Sequence, residues 1–502
     1  MLKNLKYEPY FDWVQDYWSS RGEKLDFKKH KYLLQIYQDQ HPNIVVMKSA
    51  QVGLTERFLT EAIWLPDQFK ENSIYFMPTA SMVSDLVQER IDDPINNSDY
   101  LRLVSGRAKK LIGKQADKVS MKRMSKGFVY FRGSNKPNQI ITISGDIIFA
   151  DELDRMEPES IPYFDKRLEH SSRKWQRWGS TPTVPNFGIH KLFLTSDQHE
   201  YRIKCNHCNE QQLLTFWDNV DIERKLLVCK KCRKEIIPWQ CDGEWVKTND
   251  SDIRGYHISQ LYSPRLDLKK LIEASQKSTE WEIQQFYNQN LGLPYEPKGA
   301  KISEEDFQAA TRDYTIPFKE PEQSTFMGVD IGKILHVTIM NKKRIVWIGE
   351  KKDFEELDGL MREFNVKVAV VDGLPETRKA SEFEQRFRGR VFLCYYSGMK
   401  EIKEGKWFKK ERGKVNTDRT ISLDKSTNIV KEQNIEFPKN LDNYPEFKQH
   451  CKNLVRIIRE EKGNQIAEYV KIGPDHYRHS LNYANLAREI YLQIPVLGVM
   501  SM

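Results

Sequence analysis

Short apolar runs that end abruptly in charged or hydroxyl-bearing residues recur along this chain, and they restrict its fold more than any other feature. Residues 44–47, Ile-Val-Val-Met, run into Lys48, residues 73–77 form a second such run, and residues 146–150 end in Asp151-Glu152. Runs of this length suit strands buried on both faces and are short for a core helix. Helix-patterned segments over residues 56–64 and about 81–90 lie between them, and residues 140–143 read as a further strand. Strands alternating with helices predict a parallel sheet whose carboxyl edge collects the polar strand ends. After a polar stretch containing Pro297, Pro317 and Pro321, strand patterning restarts at Phe326. The expected organisation is therefore an α/β domain over residues 1–300, a linker over 301–325, and a second α/β domain over 326–502.

Composition removes several other classes. A chain of 502 residues is long for a single core, and its apolar residues gather into strand-like runs, which excludes a disordered protein. Seventy-nine Lys and Arg against 71 Asp and Glu leave a net charge of +8, compatible with a polyanionic partner but ordinary for this length. No run approaches a membrane span, and the first residues, Met-Leu-Lys-Asn-Leu-Lys, lack a signal-peptide core, so a cytoplasmic protein is expected.

The first strand runs into Lys48-Ser49-Ala50-Gln51-Val52-Gly53-Leu54-Thr55 and then a helix, the order of a phosphate-binding loop. The usual pattern, G-x-x-x-x-G-K-[ST], is broken twice: Leu54 stands where lysine is expected, and Ser49 stands near the start of the loop. Lys48 lies at the front, where a long side chain reaches the same phosphates, while Gly53 and Thr55 keep the turn and the metal-binding hydroxyl. An ordinary strand-to-helix glycine turn explains the loop taken alone. The apolar run ending in Asp151-Glu152 supplies what a nucleoside triphosphate site needs: a carboxylate for the magnesium shell and another to orient water. Asp151 as a plain helix cap is the alternative. Ser180-Thr181-Pro182-Thr183 ends another expected strand and suits a segment that senses the terminal phosphate, although Ser-Thr-Pro is also a common turn. Arg57, Arg90 and Arg167 are candidate arginine fingers.

Of seven cysteines, four form Cys205-x-x-Cys208 and Cys229-x-x-Cys232, the spacing of a zinc ribbon with a closed, structural Zn2+ site. The expected ribbon insertion covers residues 200–245. His207 is expected to face solvent, Cys241 lacks a partner at ligand spacing, and Cys394 and Cys451 read as core. Lys204, Lys230, Lys231, Arg233 and Lys234 give the knuckles a basic rim, for DNA, for a protein, or simply for solvent.

In the second domain, two strands carry Asp330 and Asp372. Carboxylates on neighbouring parallel strands can bridge two Mg2+ or Mn2+ ions, one activating water and one stabilising a leaving oxygen. A third acid must come from elsewhere, with Glu376 a reserve. Residues 406–414, with cations beside Trp407 and Phe408 and a turn at Gly413, read as a DNA-gripping hairpin or as a solvated loop over a buried Trp407.

The motifs Lys48-Ser-Ala-Gln-Val-Gly-Leu-Thr55, Phe149-Ala-Asp-Glu152, Gly179-Ser-Thr-Pro-Thr183, Gly255-Tyr-His-Ile-Ser-Gln-Leu-Tyr-Ser-Pro264 and Phe286-Tyr-Asn-Gln-Asn-Leu-Gly-Leu-Pro294 together resemble the large terminase subunits of tailed bacteriophages, in the branch that includes the lambda-type subunit. The resemblance covers roughly residues 32–487. It implies an amino-terminal P-loop ATPase that pumps double-stranded viral DNA through a portal into the prohead, and a carboxyl-terminal RNase H-like nuclease that cuts concatemers. It further implies ATP, Mg2+ or Mn2+ as cofactors, a small terminase subunit and the portal as partners, a homo-oligomeric ring when docked, and the host cytoplasm as location. Asp475 matches the family's carboxyl-terminal acidic position, although a helix cap is an equal reading; the family's later acid falls near Asn482. The rival is a helicase-like repair ATPase with a DNA-binding carboxyl domain, disfavoured by the aspartate pair and the absence of a second helicase core.

Overall fold

A computed structural model describes residues 7–20, 22–107, 117–319, 323–397, 406–461 and 464–493. The chain divides into two compact units, residues 1–296 and 297–502.

In the first unit, the expected runs become adjacent strands of one eleven-stranded sheet. Asn43–Lys48 lies between Arg254–Ile258 and Trp175–Ser180, followed outward by Ile147–Asp151, Ser73–Met77 and Phe128–Gly133, all parallel. Their ends therefore share the edge where Lys48, Asp151 and Ser180 sit. Every residue of Ser73–Met77 and Ile147–Asp151 is buried, which explains their unbroken apolar pattern. Antiparallel strands close the sheet at both margins: Met121–Arg123 on one side, Asp242–Val246 and Gln211–Leu213 against His199–Lys204 on the other. The expected insertion over 200–245 is thus continuous with the main sheet through its first and last strands.

The helix after the first strand runs from Leu54 to Gln68, longer than the expected 56–64. Residues 140–143, expected as a strand, form none: Ile140 and Ile141 end a short helix, Pro137–Ile141, with proline at its start, and residues 142–143 follow it outside any strand. Proline's fixed φ favours a helix's first turn and its missing N–H weakens a central strand.

In the second unit, Thr325–Ile331, Leu335–Met340 and Ile345–Lys351 are antiparallel neighbours, and Val366–Asp372, Val391–Tyr396 and Lys414–Thr417 extend the sheet in parallel. Strand parity sorts the side chains: Met327, Val329 and Ile331 pack with Phe354, Leu357 and Leu360 on one face. Phe326 packs on the other with Leu481 and Ala484 of the long helix His476–Leu492. Gly328 is where that helix comes closest, since a Cβ there would stand 2.0 Å from the Ser480 carbonyl and 2.2 Å from the Ala484 nitrogen.

The 301–325 stretch, expected as a linker, is packed into the second unit wherever it is described. Ser303 opens the helix Glu304–Ala310 with a reciprocal capping box to Asp306, and Phe307, Ala310, Tyr314 and Ile316 enter the core. The prolines that suggested a linker flank this short capped element.

Among the described residues, no helix is long and apolar enough to cross a membrane.

Candidate nucleotide and metal sites

The loop after the first strand bends through left-handed backbone at Gln51 (φ 58°) and Gly53 (φ 88°). Gly53 precedes the Leu54–Gln68 helix and no side chain caps it, so the first-turn amides stay open at the positive end of the helix dipole. Lys48 is buried at the strand end with its Nζ 3.2 Å from Glu152 Oε1. Thr55 Oγ1 and the Tyr75 hydroxyl each donate to Asp151 Oδ2 at 2.8 Å. Burial pushes the Asp151 carboxyl above its ordinary value, with Lys48 and the two hydroxyls opposing that push. Glu152 itself is left-handed (φ 61°), a conformation that costs a non-glycine residue about 1–2 kcal/mol and turns the carboxylate back toward Lys48. Lysine, hydroxyl, two acids and an open helix end therefore converge, as phosphate and its metal require.

Not all of the loop faces this space. Leu54 and Val52 are buried in the core. The Ser49 and Ala50 amides, expected at phosphate, donate instead to the carbonyls of Ile258 (2.7 Å) and Gln289 (2.8 Å). Gln260 Nε2 donates to the Ala50 carbonyl at 3.2 Å, and Asn290 Nδ2 holds Gln260 at 2.9 Å. Gly292 (φ 68°) closes this brace, because a Cβ there would lie 2.6 Å from the Ser49 nitrogen. The two motifs over 255–264 and 286–294 thus form the floor of the loop. Gly292→Ala should weaken ATP binding at least tenfold with the fold retained, checked by nucleotide titration beside thermal melting; parental affinity would separate the brace from binding.

The 180–183 segment is tied to the acidic turn by Asp154, which sequence reading overlooked. Asp154 N–H donates to Ser180 Oγ (3.1 Å), and its carboxylate accepts from the Thr183 N–H (2.8 Å), the Thr183 hydroxyl (2.6 Å) and the Ile189 N–H (2.7 Å). Asn288 Nδ2 in turn donates to the Thr183 carbonyl at 2.9 Å. The spacing of Asp154 after an acidic pair carried no motif, and only the fold shows its use.

Of the three arginines considered, Arg57 is fully buried, paired with Glu61 at 2.8 Å and stacked over Tyr10, so it is structural. Arg177 joins Glu61 from the other side at 2.7 Å. Arg167 donates to the Ile141 carbonyl. Arg90 stands by the loop, 3.6 Å from Glu56, half exposed and close enough to act on the charge of Lys48.

The four cysteine sulfurs converge, with Cys205 and Cys232 3.9 Å apart and Cys208 and Cys229 3.7 Å apart. Both knuckles repeat one backbone pattern: Asn209 N–H returns to the Cys205 carbonyl and Arg233 N–H to that of Cys229, each from a left-handed residue. Gln212 donates to Cys229 Sγ at 3.4 Å. A tetrahedral zinc with Zn–S near 2.3 Å separates its sulfurs by about 3.8 Å, so the cage fits. His207 is exposed and turned to the Glu235 carbonyl, and Cys241 lies outside the cage. Glu210 pairs with Lys230 and Lys231 of the basic rim.

In the second unit, Val329 pairs with Val371, so Asp330 and Asp372 follow at neighbouring positions on the face of the 476–492 helix. Burial pushes the Asp372 carboxyl up to about 6, and Asp330 adds to it. Asp475 leads the long helix but its side chain accepts no capping N–H; the carboxylate lies 3.4 Å from His479 Nε2. It is also outside the metal-capable group that the described residues form around Asp330, whose other members are His336 and His476. Asn482 is buried and accepts from Ser422 (3.1 Å) and Ser426 (2.8 Å), while Glu376 is exposed beside Lys379. Residues 408–411 and 414–417 do form a hairpin at the sheet edge, turning at Gly413 (φ 67°), with Lys410 and Lys414 exposed.

Two α/β units define the class: the first carries a lysine, a hydroxyl and two acids around an uncapped helix start, and the second carries aspartates on adjacent parallel strands. A sequence profile described as the phage terminase large subunit gpA ATPase domain matches residues 34–245, and the gpA endonuclease-domain profile matches 253–340. The chain belongs to the gpA family of phage terminase large subunits. The second profile begins within the first unit, at the strand Arg254–Ile258. The large terminase subunit of Enterobacteria phage P21 is 28% identical over 218 residues, which is 41% of this chain and 33% of that relative's length. Among solved structures, the large terminase of a thermophilic bacteriophage is 13% identical with a TM-score of 0.33, covering 91% of this chain and 98% of that one. The nuclease domain of subunit gp2 of bacterial virus Sf6 is 12% identical with a TM-score of 0.27, covering 36% and 95%.

Proposed function

We propose that the chain is a viral DNA-packaging enzyme: the first unit hydrolyses ATP to translocate double-stranded DNA into a prohead, and the second cuts concatemeric DNA. The observation that carries this reading is the convergence of Lys48, Thr55, Asp151 and Glu152 at an uncapped helix start, in a chain of the gpA family. Lys48 and the amides of residues 51–55 would hold the phosphates, and Glu152 would orient the attacking water. Thr55 and Asp151 would hold Mg2+, which when bound neutralises charge developing on the phosphates. Asp154 would pass the loss of phosphate to residues 180–183. In the second unit, Asp330 and Asp372 would hold Mg2+ or Mn2+ for strand cleavage, with Asp475 acting nearby. The partners under this reading are viral DNA, a small terminase subunit and a portal, with the chain working as a ring in the host cytoplasm.

The test is ATP hydrolysis and DNase protection of DNA with and without proheads. Stimulated turnover with protected DNA is expected. Strand unwinding without any prohead dependence would favour a repair helicase and overturn the packaging role.

Four thiolates of this geometry are proposed to hold structural Zn2+. Cys229→Ser is expected to lower zinc from about one per chain to near zero and to open residues 205–241 to proteases, because ligand binding contributes directly to local folding. Elemental analysis and limited proteolysis check it; zinc-free parent protein with reduced thiols would remove the ribbon.

A further inference from the structure

The sheet of the second unit lines up more metal-binding chemistry than its aspartates. Asp330 pairs in register with His336 on the adjacent antiparallel strand, and His336 pairs with Glu350 on the next. The turn between the first two strands is tight, with Gly332 N–H returning to the Ile334 carbonyl at 3.2 Å, so the Asp330–His336 pairing is fixed by the hairpin itself. His476, at the first turn of the helix lying on this face, reaches the same point and places Nδ1 2.8 Å from Asp330 Oδ2. The His336 and His476 rings stack at 4.6 Å, 13° from parallel, so one ring must turn out of the stack for both in-plane lone pairs to meet one ion. One ligand atom from each of Asp330, His336 and His476 lies within 4.8 Å of the others.

The 2.8 Å Asp330–His476 contact is a hydrogen bond, whose place an ion bound to both would take. A further observation points to an ion. His336 is 5% exposed, yet its Nδ1 is buried without a hydrogen-bond partner, a cost that a metal bond would remove. Glu350 Oε1, 3.4 Å from His336 Nε2, is the partner that orients such an imidazole from its other nitrogen.

We infer that Asp330, His336 and His476 form a two-histidine, one-carboxylate site for a first-row transition cation of the Mn2+ class. The inference deepens the nuclease reading and rests on it for the use of the ion, but not for the binding. Imidazole ligands favour such ions over Mg2+, which prefers oxygen.

The experiment uses the full chain without nucleotide, titrated with MnCl2 and followed by electron paramagnetic resonance. Pulsed spectra of the bound ion read the 14N coupling of a coordinated imidazole, a signal that neither the Asp151 carboxylate nor the cysteine cage can give. Expected are clear 14N coupling in the parent, at least tenfold weaker Mn2+ binding in both His336→Gln and His476→Gln, and poor competition by Mg2+. Bound Mn2+ without 14N coupling in the parent, which needs no variant to fold, overturns the site. Parental binding in both variants also overturns it. Plasmid cleavage measured in parallel separates the two readings: cleavage lost in Asp330→Asn with no 14N signal keeps the nuclease and discards the histidine site. A 14N signal without cleavage in any metal does the reverse.

Discussion

Lys48→Ala is expected to lower ATP turnover by about two to three orders of magnitude, the usual effect of removing a preorganised charge from a phosphate site. Lys48 is the buried cation facing both Asp151 and Glu152. Without it the two carboxylates confront incoming phosphates unopposed, so nucleotide binding should fall together with turnover. Glu152→Gln should act differently. Glutamine accepts the same left-handed backbone at no greater cost and keeps the shape of the turn. It therefore should bind ATP normally and fail to hydrolyse it. Phosphate release and nucleotide titration on both variants give the result; parental turnover in both would remove the first unit's active site. DNA cutting by the same variants should survive at least in part, since neither residue belongs to the second unit.

Asp330→Ala and Asp372→Ala should each abolish metal-dependent plasmid cleavage and leave ATP hydrolysis near the parental rate. Both carboxylates sit on the same face of adjacent strands, so each removal spoils the spacing of whatever ions bridge them. Asp475→Asn is the informative companion. Asp475 does not cap its helix and contacts His479, so a role in cleavage would run through that imidazole. Cleavage at the parental level in Asp475→Asn, with Asp330→Ala inactive, would assign Asp475 to structure alone. Normal cleavage by Asp330→Ala would end the nuclease assignment.

Much of this was legible because strand burial writes itself into sequence. The runs over residues 44–47, 74–77, 147–150 and 368–371 are apolar throughout for the reason that both sheet faces are covered, and the polar residues that follow them mark one edge. The cysteine pairs were legible because ligand geometry demands a fixed local spacing. What escaped reading depends on contacts distant in the chain. Gln289 and Gly292 matter to the loop through backbone groups, which leave no chemical signature. Asp154 looks like one more acid until its hydrogen bonds to Ser180, Thr183 and Ile189 are seen. His336 did leave a trace: two strands joined by a tight turn at Gly332 must place some residue opposite Asp330, and counting back across the turn reaches it. The proline-bearing stretch before Phe326 misled because prolines punctuate short packed elements as readily as linkers.

Gly328 has a consequence for how such a site can change over time. At Gly328 the main chain of the helix bearing His476 rests directly on the strand bearing Asp330, with no side chain between them at that point. The approach of the two elements at that point is therefore limited by peptide against peptide. On the proposed reading, the side chains at 330, 336, 372 and 476 could be exchanged one at a time, oxygen for nitrogen, on the same backbone. A lineage could in this way retune its metal preference without refolding its nuclease, provided that residue 328 never acquires a methyl group.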